Sequence, residues 1–87
     1  MAENAVLIEI IPDDSEVDLS NILNKVKDIL PAGASIKDHK IEPFVFGLNK
    51  LKLMLIVPEQ EGLITELEEK LNNLPGVSAE ILSITRI

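Results

Sequence analysis

Apolar and polar positions alternate at period two in some stretches of this chain and recur at helical spacing in others. Ala5 to Ile11 is apolar except at Glu9 and rich in β-branched residues, and Pro12 ends it, which predicts a strand. Asp13 to Asp18 is an acidic turn, with Ser15 and Asp18 together, or Asp18 alone, placed to cap a helix. Leu19, Ile22, Leu23, Val26, Ile29 and Leu30 then form one helical face, opposed by Ser20, Asn21, Asn24, Lys25, Lys27 and Asp28. Pro31 and Gly33 stop that helix. Ser35 to Phe46 is more polar and holds Pro43, which donates nothing to a ladder, so an edge strand with a break near Glu42–Pro43 is expected. Gly47 marks a tight turn. From Leu48 to Val57, Leu51, Leu53, Leu55 and Val57 share one side and Lys50, Lys52, Met54 and Ile56 the other, up to Pro58. Leu63, Ile64, Leu67, Leu71 and Leu74 carry a second helical stripe, ended by Pro75–Gly76. Val77 to Ile87 reads as a last strand whose facing stays open, because its apolar residues fall on both parities.

The order βαββαβ predicts a ferredoxin-like α+β fold, a four-stranded antiparallel sheet with two helices on one face. The first and third strands, the most apolar, are expected at the centre, and the second and fourth at the edges. Residues 1–87 are expected to form a single domain, since chains this short rarely divide.

Composition narrows the function. Eight basic residues against fifteen acidic ones leave a net charge of −7, and only Phe44 and Phe46 are aromatic. Nucleic-acid binding draws on neutralised phosphates and on aromatic stacking, so no direct nucleic-acid partner is expected. An acidic surface instead favours a basic protein partner through steered encounter. With no cysteine, there is neither a disulfide framework nor a thiolate nucleophile or metal ligand. The opening MAENAVLIEIIP lacks a basic n-region and is broken by Glu9, and the run from Leu53 to Val57 is far below the roughly 20 residues of a membrane span. A soluble, cytoplasmic protein with no membrane partner is expected.

Candidate chemistry is sparse. His39, the lone histidine, has no neighbouring second ligand type, so no metal site is expected. The glycines are isolated at turns and make no phosphate-binding motif. Glu66, Glu68 and Glu69 oppose the leucine stripe and read as a solvated face. Asp13, Asp14, Glu16 and Asp18 lack the central glycine and distal glutamate of a calcium loop. Neither an enzyme nor a cofactor is expected. Two features remain. Phe44 and Phe46 flank the Gly47 turn at shared strand parity, where core packing would place both inside, yet strands leave the core beside such a turn. Arg86, the only arginine, stands at the end of the last strand, where chains commonly fray.

The run Glu42-Pro43-Phe44-Val45-Phe46-Gly47-Leu48, followed by Leu51, resembles the archaeal elongation factor 1-beta family. So do the first strand with Pro12 and Val17-Asp18-Leu19, the approach Leu74-Pro75-Gly76-Val77-Ser78 to the last strand, and the final basic residue. The resemblance implies the same ferredoxin-like fold and a guanine nucleotide exchange factor that releases GDP from elongation factor 1-alpha. That GTPase, in its GDP-bound and nucleotide-free states, is the implied partner, met by a chain monomeric on its own. In eukaryotic relatives a phenylalanine before the turn glycine contacts the GTPase, and a lysine next to the C-terminal residue approaches its magnesium and phosphates. By position these are Phe46 and Arg86, and the implied contact set is Phe46, Gly47, Lys50, Arg86 and Ile87. The eukaryotic glycine before that phenylalanine is Val45 here, and the lysine is Arg86, which keeps the charge but is wider and planar. Two other readings share the element order. A small-molecule-sensing regulatory domain of ACT type would need a loop richer in Gly, Asn or Asp than Pro12-Asp13-Asp14, and an RNA-binding ferredoxin-like protein would need the opposite charge.

Overall fold

Burial of every second residue in two strands places the core. The computed structural model describes residues 2–87. In it β1 (Glu3–Pro12) buries Val6, Ile8 and Ile10, and β3 (Asn49–Pro58) buries Leu51, Leu53, Leu55 and Val57. The two run antiparallel with Val6 opposite Leu55, Ile8 opposite Leu53 and Ile10 opposite Leu51, so side chains of one parity meet across the ladder. The edges are β2 (Ser35–Pro43) and β4 (Val77–Arg86), giving the sheet order β2-β3-β1-β4, all antiparallel. Helices α1 (Leu19–Ile29) and α2 (Leu63–Asn72) lay Leu19, Ile22, Val26, Leu67 and Leu71 on the apolar face, and Leu23 packs partly buried against the same cluster. This is the ferredoxin-like α+β arrangement, with the first and third strands central as their apolarity predicts.

Local chemistry sets the element ends. The Asp18 carboxylate accepts the Ser20 backbone N–H at 2.9 Å, so Asp18 alone caps α1 and Ser15 takes no part in the cap. Asp14 stiffens the preceding turn by accepting the Glu16 N–H at 2.8 Å. Past α1, Gly33 lies at φ +83°, and a Cβ there would stand 2.9 Å from Cγ of Pro58.

Both edge strands are bulged. In β4 the register shifts so that Leu7 faces Ser83 while Ile8 faces Ile81, leaving Leu82 as the extra residue. Val77, Ala79 and Ile81 therefore point to the helices before the bulge, and Ile84, opposite Val6, does so after it. The bulge accounts for apolar residues on both parities. In β2 the shift falls between Ile36 and Asp38, at Lys37. The break expected at Glu42–Pro43 is thus misplaced, since the ladder runs on to Pro43 opposite Asn49 and proline serves as the strand's last residue. The β2 bulge, with the charged Lys37 at the irregularity, resists edge-to-edge pairing.

The face away from the helices is divided. Toward the β2–β3 turn it carries ion pairs, Lys50 to Glu9 at 3.0 Å and Lys52 to Glu42 at 3.9 Å. Toward the other end it is apolar, with Ala5, Leu7, Met54 and Ile56 half-buried. No helix of the described residues is long and apolar enough to cross a membrane.

Candidate functional site

The connection from β2 to β3 is too short to hide its side chains. After Pro43 the chain makes a turn over Val45–Gly47, closed by the Leu48 N–H donating to the Val45 carbonyl at 3.1 Å and the Phe44 N–H donating to the Leu48 carbonyl at 2.7 Å. Phe46 sits at φ 57°, ψ 32° and Gly47 at φ 74°, two successive left-handed residues as in a type I′ hairpin turn. Glycine takes this conformation freely, whereas a phenylalanine there carries strain of about 1–2 kcal/mol. Phe46 is the only non-glycine residue at positive φ among those described, and it is 96% exposed. The shared strand parity of the two phenylalanines does not hold, because Phe44 and Phe46 lie past the end of β2.

Phe44 is half-buried and supports the turn. The Lys50 ammonium stands 5.3 Å from the centroid of its ring, within cation–π range, while also pairing with Glu9. Lys50 thus braces the base of the turn through two contacts of its own. Val45 is exposed beside Phe46, and Ile41 is exposed on β2 below it. Against the other flank lies a cleft of about 230 Å³ lined by Asp14, Asp18, Ile41, Gly47 and Leu48. The aromatic tip therefore stands next to an acidic recess.

Arg86 and Ile87 lie elsewhere. Arg86 pairs with Asn4 near the start of β1, whereas Leu51, just past the turn, pairs with Ile10. The stretch of β1 between those levels spans roughly 20 Å at 3.3 Å per residue. Phe46, Gly47 and Lys50 are brought together at one end of a molecule 41 Å long, and Arg86 with Ile87 occupies the other. That far end is not frayed. The Ile87 N–H donates to the Glu3 carbonyl at 2.9 Å, and Arg86 Nε meets Glu59 Oε2 at 2.8 Å. Glu59 was not marked by any motif; its place just past Pro58, opposite the start of β1, is the signal that register alone supplies. Among the described residues no group of three or more His, Asp or Glu side chains is placed to hold a metal ion.

A strained, solvent-exposed phenylalanine at one end and an ordered terminal cation at the other suit recognition of a macromolecule. The family model described as the EF-1 guanine nucleotide exchange domain matches residues 5–87. The chain belongs to that family. Elongation factor 1-beta of Staphylothermus marinus is 39% identical over 89 aligned positions, covering 100% of this chain and 99% of the relative. Elongation factor 1-beta of Saccharolobus solfataricus is 42% identical, covering 100% and 98%. The likeness to archaeal elongation factor 1-beta thus spans the whole length of both chains, and with it both ends of the sheet that carry the exchange-domain candidates.

Proposed function

We propose that this chain is the guanine nucleotide exchange factor of the elongation factor 1-alpha GTPase, acting in the cytoplasm as a single domain without covalent chemistry. Phe46 carries the reading, because an aromatic ring that is both fully exposed and conformationally strained is stabilised by a partner's pocket and by nothing in its own fold. Its burial on binding supplies the anchor, as aromatic hot spots do. Gly47 keeps the turn narrow enough for the ring to enter, and Lys50 holds the base in place.

Arg86 is the second contact, acting at a distance from the first. A cation brought against the GTPase's magnesium site repels the metal and competes for the phosphates, an effect of several kcal/mol at reduced dielectric. Ile87, exposed beside it, packs at the margin of the same contact. Because the two ends lie roughly 20 Å apart or more, the partner must present two separated receptors, which makes a large multi-lobed protein the natural fit. The net charge of −7 favours approach to a basic surface.

Exchange then follows from linkage. A factor that binds the empty GTPase more tightly than the GDP-bound form weakens GDP by the same ratio. Calorimetric titration of the chain into elongation factor 1-alpha, nucleotide-free and GDP-loaded, tests the reading. Tighter binding to the nucleotide-free form is expected; equal affinities for the two forms would exclude an exchange factor.

A further inference from the structure

We infer that Glu59 is a positioning residue that holds the Arg86 guanidinium by its Nε edge and presents the rest of it outward to the partner. The inference rests on the reading of Arg86 as the cation that acts on the GTPase's nucleotide site.

Both members of the pair are fixed by backbone bonds to the same stretch of β1. The Glu59 N–H donates to the Ala2 carbonyl at 3.0 Å, and next to Arg86 the Ile87 N–H donates to the Glu3 carbonyl at 2.9 Å. Glu59 continues β3 past Pro58, which faces Glu3, and Arg86 faces Asn4 on β4's side of the same strand. The ion pair therefore reaches across β1 on the helix-bearing face and joins two strands that do not touch each other. With the backbones already ordered, only side-chain rotation is lost when it forms.

The atom in contact decides what the pair does. Arginine has five N–H donors, one on Nε and four on the terminal nitrogens. The 2.8 Å contact is made through Nε, and the side chain remains 71% exposed. A carboxylate at Nε can orient the plane while the terminal nitrogens stay free for a phosphate oxygen. Lysine's three N–H donors all sit on one nitrogen, so the same carboxylate would draw on the group that has to act. Glu59 therefore helps an arginine at position 86 and hinders a lysine there.

The experiment is fluorescent-GDP release from elongation factor 1-alpha at saturating chain, with full-length variants and their affinity for the GTPase measured alongside. Glu59→Ala should slow saturated release about fivefold, the upper range of an exposed ion pair, with little change in complex affinity. Glu59→Gln, whose amide oxygen still accepts from Nε, should stay within about twofold of the wild type. In an Arg86→Lys background the sign should reverse, with Glu59→Ala speeding release. A purely structural clasp would change the unfolding midpoint and leave the saturated rates alone. If Arg86→Ala slows release while Glu59→Ala matches the wild type, or if Glu59→Ala slows release in both backgrounds, the positioning role is overturned and the role of Arg86 stands. If Arg86→Ala itself releases GDP at the wild-type rate, the reading of Arg86 fails and takes this inference with it.

Discussion

Replacing Phe46 by glycine sets stability against binding, and the two should move in opposite directions. In the free protein the ring is 96% exposed and packs against nothing, while its backbone at φ 57° costs about 1–2 kcal/mol relative to glycine. Glycine returns part of that gain by loosening the unfolded chain, about 0.4–1 kcal/mol. Phe46→Gly should therefore leave the fold as stable as the wild type or up to about 1.6 kcal/mol more stable, and each 1 kcal/mol gained raises Tm by about 4–8 °C for a domain of this size. Phe46→Ala keeps the strain and should leave stability unchanged. Both variants lose the anchor, and truncation of an aromatic hot spot costs about 2 kcal/mol or more, about thirtyfold in Kd. The chain has no tryptophan or tyrosine, so unfolding is best followed by circular dichroism, with affinity for the GTPase from calorimetry. A Phe46→Gly variant less stable than the wild type would show that the ring packs on its own fold, and unchanged affinity in either variant would refute the anchor.

Other expectations concern the core, the cap and the charge. Leu53→Ala empties a fully buried site between the sheet and the helices and should cost about 2–5 kcal/mol in chemical denaturation; an unchanged midpoint would contradict the strand phase. Asp18→Ala removes the only side-chain cap of α1 and should cost about 0.5–2 kcal/mol, seen as an earlier loss of the helical dichroism signal. The on-rate for the GTPase should fall as salt rises, since charges are screened beyond about 8 Å at 0.15 M. An on-rate flat in salt would show that the acidic surface does not steer the encounter.

How much of this was legible in the sequence differs by level. The facing of β3 was readable from Leu51, Leu53, Leu55 and Val57 set against Lys50 and Lys52, whereas β1 is apolar on both parities apart from Glu9, and its facing emerges only from its pairing with β3. The facing of β4 was not readable either, since a bulge at Leu82 swaps the parity midway and leaves no composition signal of its own. The edge-strand break was assigned to the proline, whereas the bulge fell at Lys37, a position that pattern reading treats as ordinary. The turn glycine was evident, but the left-handed backbone of Phe46 was not, since phenylalanine is among the last residues expected there. Arg86 stood out as the only arginine. Its partner Glu59 did not, because their proximity arises from register across three strands, and it took the pairing of β1 with both neighbours to bring them together.

Release of GDP from elongation factor 1-alpha by this chain is measured most directly as the release rate of fluorescent GDP against chain concentration, with excess unlabelled nucleotide as trap. The rate should rise and saturate, with Phe46→Ala shifting the half-saturating concentration upward and Arg86→Ala lowering the plateau. A release rate that stays at its spontaneous value across the whole concentration range would contradict the exchange-factor reading.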